Sequence, residues 1–84
     1  MTSQGWPSDL EARIAKLVHD LRTPLTIAAG FADIVAGDLQ LPEDKRTEYL
    51  RRISAATADM RAILDAERQD RLAQRLREER EAEG

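Results

Sequence analysis

Cysteine is absent from this sequence, and aromatic residues nearly so: one Trp, one Tyr and one Phe among 84 residues. Without thiols there are no disulfides, no thiolate metal sites and no cysteine nucleophile, and the composition fits a reducing compartment. No basic patch is interleaved with aromatics, and acids and bases alternate to a net charge of -3, so nucleic-acid binding has no support. Long apolar runs are missing too. The longest, Leu25 to Gly37, is too short for a bilayer and is interrupted by Asp33. Met1 to Trp6 has neither the basic start nor the apolar stretch of a signal peptide. These absences lead us to expect a soluble module, cytoplasmic or the cytoplasmic part of a membrane sensor. The four glycines are scattered and draw no phosphate-cradling loop, and no carboxylates have the spacing of a metal site. The chain by itself is therefore expected to bind no cofactor.

What remains is rich in Ala, Leu, Glu and Arg, which favour helix over strand. Residues 1–7 read as a flexible lead-in. Ser8 followed by Glu11 matches a capping box, so a helix should start there. Its apolar residues recur at Leu10, Ile14, Leu17, Leu21, Pro24, Ala28, Phe31 and Val35, in steps of three and four. Val18 broadens this stripe before Pro24; Leu25, Ile27, Ala32 and Ile34 broaden it further afterwards. Pro24 lies inside the pattern, lacks an N–H and crowds the Asp20 carbonyl, so a kink just beyond His19 is expected.

Gly37 suits a helix stop in the left-handed cap position. Asp38 to Leu41 then form a short connection. Pro42 fits the first turn of a second helix, with Glu43 and Asp44 near its positive end. The second stripe runs Leu50, Ile53, Thr57, Met60 and Leu64, flanked by Tyr49, Ala56 and Ile63, and fades after Ala66. Residues 8–66 thus read as one helical domain and 67–84 as a charged helical tail or stem. In that tail, pairs such as Glu67 with Arg71 support a solvated helix. A stripe as wide as that from Leu25 to Val35 needs more neighbours than one hairpin supplies. A hairpin of this size also buries little apolar surface. The expected fold is all-α: an antiparallel helical hairpin that homodimerises into a four-helix bundle.

The chain has one histidine, His19, and it falls opposite the core register set by Ile14 and Leu21. A lone histidine so placed is ordinarily a plain surface residue. Its context differs. His19-Asp20-Leu21-Arg22-Thr23-Pro24-Leu25 resembles the H-box of the histidine-kinase dimerisation and phosphotransfer domain, on the first helix of a hairpin where that family carries it. The helical resemblance covers about Leu10 to Ala66, and only the H-box is specific. The resemblance implies a phosphoacceptor and dimerisation module of a two-component sensor histidine kinase. His19 would take a phosphoryl group from ATP and pass it to an aspartate of a response-regulator receiver domain. ATP and Mg²⁺ would be bound by a separate catalytic domain, acting in cis or in trans, so the chain alone would not be an active kinase. The residue types suit this chemistry. A neutral imidazole is a nucleophile near pH 7, and an exposed helix face lets two partners reach the same nitrogen in turn.

The resemblance further assigns Asp20 to orienting or deprotonating the imidazole. The ordinary alternative is a surface carboxylate near Arg13, Lys16 or Arg22. It assigns Thr23, one turn on, to positioning water for dephosphorylation of the receiver; the alternative is a threonine bonded back to the His19 carbonyl. Arg22 is either a phosphate contact or part of a solvated face. Thr26, Ala29 and Gly30 are small enough for a receiver to dock close to the backbone. Two other readings use the same residues: a stand-alone phosphotransfer or split-kinase subunit, and a structural dimerisation module with an unused histidine.

Overall fold

A computed structural model describes residues 5–84. Among them the chain forms two helices, α1 (Leu10–Gly37) and α2 (Glu43–Glu83), packed side by side as an antiparallel hairpin. The fold is all-α, as the sequence indicates, and is 65 Å in its longest dimension. That matches the 41 residues of α2 at about 1.5 Å rise each. Residues 1–4 of the expected lead-in lie outside the described residues.

The helix ends differ in detail from the sequence expectation. Asp9, not Ser8, caps α1: its carboxylate accepts the Ala12 N–H at 2.9 Å. A carboxylate one residue later does the capping job of Ser8 and adds a favourable charge at the positive helix end. The other end does not use a left-handed glycine. Gly37 is the last helical residue, and extended Asp38 closes the turn by donating its N–H to the Ile34 carbonyl. Asp38 then bends the chain onward, accepting the Gln40 N–H on its side chain. Arg46 reaches back from α2 to donate to the Val35 and Asp38 carbonyls, satisfying acceptors the helix end leaves open. Pro42 stands immediately before α2, and its carbonyl accepts the Arg46 N–H. Pro24 sits inside α1, and the helix runs through it unbroken.

The helices meet along a seam of heptad spacing. On α2 the residues turned inward are Arg46, Tyr49, Ile53, Ala56, Met60, Ile63, Glu67, Asp70 and Gln74. On α1 they are Arg13, Leu17, Leu21, Pro24, Ala28, Phe31 and Val35. Phe31 packs on Tyr49 with ring centroids 5.0 Å apart, and the Arg52 guanidinium lies 5.8 Å from the Phe31 ring centre. Pro24, Ala28 and Ala56 are the buried apolar residues among those described, which places the closest helix approach at small side chains.

Two expectations are corrected here. Leu10 and Ile14 are exposed, at 70% and 52%, and Arg13 takes the seam position instead. Likewise Leu50, Thr57 and Leu64 stay exposed, while their flanking neighbours Tyr49, Ala56 and Ile63 line the seam. The reason is geometric: one neighbouring helix covers only one side of a stripe wider than about 100°.

The uncovered residues share one side of the hairpin. Ile14, Val18 and Leu25 lie roughly a quarter-turn from the seam on α1, and Leu50, Thr57 and Leu64 roughly a quarter-turn on α2. Because the axes are antiparallel, both displacements lead to the same side. The opposite rotation reaches Thr23, Ile27 and Ile34 on α1 and Asp59 and Ala62 on α2. There, Thr23, Pro24, Ile27, Asp59, Ala62 and Ile63 line a shallow groove of about 330 Å³.

The seam does not end where the apolar residues do. The Arg13 guanidinium meets Glu67 at 3.3 Å, Asp70 at 3.0 Å and Gln74 at 2.9 Å. Arg71 holds Glu67 from its own helix with two bonds of 3.1 Å. The charged segment is therefore helical, with the expected Glu67–Arg71 pair, but its first two turns are packed rather than solvated. Among the described residues no helix is long and apolar enough to cross a membrane.

Candidate functional site

His19 sits in the middle of a helix, where a side chain has little freedom to fold back on its own backbone. Its position is nearly opposite Leu10 and Ala28 round the helix. The side chain is accordingly 87% exposed. It stands on the outer edge of the groove side, turned away from the uncovered apolar side.

Asp20 follows directly and is half-buried. Its two oxygens are differently engaged. Oδ2 accepts from the Lys16 ammonium at 2.8 Å, one turn back on the helix. Oδ1 lies 3.2 Å from His19 Nδ1. A carboxylate only accepts, so as a hydrogen bond this contact takes its proton from Nδ1, and in the neutral ring the Nε2 lone pair is then free. The hydrogen bonds from Lys16 and then from His19 hold the Asp20 carboxyl below its ordinary value of 3.8, so it is ionised at neutral pH. Of the three bases that stood near Asp20 in the sequence, Lys16 is its partner, and Arg13 is occupied in the seam.

Thr23 is one turn beyond His19, exposed at the rim of the groove. Thr57 uses its hydroxyl on the Ser54 carbonyl at 2.8 Å. Among the described residues no comparable bond ties Thr23 back to His19, so its hydroxyl is available to a visiting group. Arg22 lies apart from Thr23, beside Val18, Leu21, Leu25 and Thr26 on the apolar side. Arg22 is three residues from His19, about 60° round the helix, so it flanks the imidazole on the side away from Thr23. Thr26, Ala29 and Gly30 are exposed, and a Cβ added to Gly30 would meet nothing within 4 Å. Among the described residues no three carboxylate or imidazole groups gather as a metal site.

The sequence reading left one contributor undecided and missed another. Lys16 was one of three candidate neighbours of Asp20 and is now its anchor. Trp6 lies in what reads as a loose lead-in, yet it is half-buried, with the Lys16 ammonium 4.8 Å from its ring centre. Neither a periodicity nor a motif marks that contact, because the lead-in reaches it by folding back along α1.

What the arrangement offers chemically is an accessible imidazole beside an ionised carboxylate, next to a groove rimmed by a hydroxyl. No curated protein and no solved structure matches the chain significantly. The family model for the His Kinase A (phospho-acceptor) domain matches residues 10–70, which takes in both helices, His19, Asp20 and Thr23, and the Glu67 and Asp70 that close on Arg13. On that match, joined to the helical hairpin and its exposed histidine, the chain belongs to the His Kinase A (phospho-acceptor) domain family.

Proposed function

We propose that this chain works as a homodimer in which His19 receives a phosphoryl group from ATP and delivers it to an aspartate of a response-regulator receiver domain. The observation that carries the proposal is the His19–Asp20 contact on an 87% exposed side chain. With Nδ1 protonated and bonded to Asp20, the Nε2 lone pair attacks the γ-phosphorus. An N–P bond forms as the bond to the departing ADP oxygen breaks. The ring becomes cationic in this step, and the adjacent carboxylate stabilises that charge. The phosphoryl group then leaves Nε2 for a receiver carboxylate oxygen, and the ring returns to neutrality. Asp20 needs to take no proton in either direction, so its role here is orientation and charge stabilisation.

ATP and Mg²⁺ come with a separate catalytic domain in this reading, because this chain offers an acceptor and no nucleotide cradle. The uncovered apolar side, centred on Ile14, Val18, Leu25, Leu50 and Leu64, is the surface for the second copy. The groove with Thr23 on its rim is the surface for the receiver. The two are on opposite sides of the hairpin, so a dimer can engage either partner domain without opening. Thr23 is placed to hold a water against the receiver's phosphoaspartate, work that depends on positioning more than on a strong base.

The test is reconstitution. The chain is mixed with an active ATP-binding domain of a histidine kinase and labelled Mg-ATP, then chased with a receiver domain. Label should appear on the chain and pass to the receiver. A chain that dimerises but never takes label would instead be a structural dimerisation module.

A further inference from the structure

We propose that Lys16 is a positioning residue for His19, holding the Asp20 carboxylate in the orientation that fixes the imidazole tautomer, and that Trp6 in turn holds Lys16. The inference deepens the phosphoacceptor reading and rests on it for its kinetic consequence.

The geometry is a chain of three contacts. The Trp6 ring faces the Lys16 ammonium at 4.8 Å, Lys16 donates to Asp20 Oδ2 at 2.8 Å, and Asp20 Oδ1 lies 3.2 Å from His19 Nδ1. A free aspartate on a helix has several rotamers, of which few direct an oxygen at the next residue's ring. Binding one oxygen to an ammonium a turn earlier selects a rotamer and leaves the second oxygen for the imidazole. The strengths are ordered accordingly: the Lys16 bond is the shorter and is the larger cause of the lowered Asp20 pKa. Lys16 has a flexible stem, and an ion pair between exposed side chains one turn apart is weak by itself. The aromatic face of Trp6 supplies a second restraint on the ammonium. The other cation near this part of α1, Arg13, is spent on Glu67, Asp70 and Gln74 and does not substitute for Lys16.

This arrangement links the segment before α1 to the reactive nitrogen. Gly5 and Trp6 fold back against the hairpin, with Gly5 beside the Asp70 carboxylate. A displacement of that segment lifts Trp6 from Lys16, loosens Asp20 and lowers the population of the reactive tautomer. The lead-in thereby sets the competence of His19 without touching it.

The test combines a spectroscopic reading with a rate, on the full chain. Nitrogen NMR of the His19 ring reports which nitrogen carries the proton. Lys16→Met should lower the Nδ1–H population and slow His19 labelling by a supplied catalytic domain with Mg-ATP about tenfold, less than the loss of Asp20 itself. Lys16→Arg should restore both, since a guanidinium also donates to Oδ2. Trp6→Ala should move both in the same direction by a smaller amount, and adding it to Lys16→Met should change nothing further. All variants should keep wild-type helicity. If Lys16→Met left the tautomer population unchanged, or raised it, the proposal would be overturned. Faster labelling in that variant would also overturn it, because Lys16 would then be competing with His19 for Asp20. If no chain, wild type included, took label, the phosphoacceptor reading would fall while the ring nitrogens still decided the role of Lys16.

Discussion

Arg13 on α1 and Glu67 on α2 meet at 3.3 Å across 54 residues of sequence, and each retains less than a tenth of its exposure. They extend the seam of the hairpin as a polar layer where its apolar residues stop. The layer is fully partnered: among the described residues no buried side-chain nitrogen or oxygen lacks a hydrogen bond.

Removing one member leaves the rest short of a partner. Arg13→Ala should destabilise the folded chain by about 1–3 kcal/mol, the usual cost of stranding buried hydrogen-bonding groups. The loss is limited because Arg71 still pairs with Glu67. Urea denaturation at a fixed protein concentration measures it. A variant as stable as the wild type would show that the layer contributes nothing.

The same layer should respond to acid. The hydrogen bond from Arg71, followed by lesser contributions that include Arg13, holds the Glu67 carboxyl below its ordinary value of 4.5. A carboxyl lowered on folding contributes stability that is complete above its unfolded value and is lost as pH falls through its folded one. The stability difference between wild type and Glu67→Gln should therefore be constant from pH 7 to about 5 and shrink below 4.5. A difference that grew on acidification would have the wrong sign for this pairing.

The dimer surface is a separate prediction. Leu25 and Leu64 are about half exposed in the hairpin and lie on its uncovered apolar side. Burying each contributes about 1.5–3 kcal/mol. Leu25→Glu with Leu64→Glu should abolish the dimer in sedimentation at micromolar concentration. Ile34→Glu, on the opposite side, should leave it intact. Phe31 does not serve for this purpose, because it packs on Tyr49 within its own hairpin. Equal loss from both sides, or a wild-type chain that sediments as a stable monomer, would remove the proposed surface.

The helical hairpin was legible in the sequence because steps of three and four recur at α1 and α2 and because Asp38–Leu41, between Gly37 and Pro42, reads as a short connection. The H-box string placed His19, Asp20 and Thr23 on α1, and the apolar register put His19 on an open face. Other features were hidden for identifiable reasons. A stripe on a helical wheel does not say which of its edges meets the partner helix, so Leu10 and Ile14 read as seam while Arg13 did not. The polar layer did leave a trace: Glu67, Asp70 and Gln74 continue the spacing of Ile53, Ala56, Met60 and Ile63. It was read as a solvated tail because its residues are charged. Asp9 outcompeted Ser8 as the cap, one residue on, which lies within the blur of any capping pattern. The contact of Trp6 with Lys16 depends on a chain reversal that no local pattern encodes.

Asp20 and Thr23 should separate by reaction. Asp20→Asn loses the charge that steadies the imidazole and should slow His19 labelling by roughly 10²–10³-fold, the scale for removing one stabiliser of developing charge. Thr23→Ala should largely spare labelling and weaken dephosphorylation of a phosphorylated receiver. Both should stay folded, since neither side chain holds the two helices together. The measurements are the two rates for each variant. Labelling abolished by Thr23→Ala, with receiver dephosphorylation intact, would reverse the assignment.

The central claim is that His19 is the phosphoacceptor, and acid-labile phosphate measures it most directly. Wild type and His19→Gln are incubated with the same active catalytic domain and Mg-ATP, then assayed for phosphate that acid releases and base does not. His19→Gln should keep the wild-type helicity, because an exposed substitution of this kind rarely matters beyond about 0.5 kcal/mol. The account predicts label on the wild type and none on His19→Gln. Label retained by His19→Gln, or absent from a wild-type chain when that catalytic domain is labelling another phosphoacceptor in parallel, would contradict it.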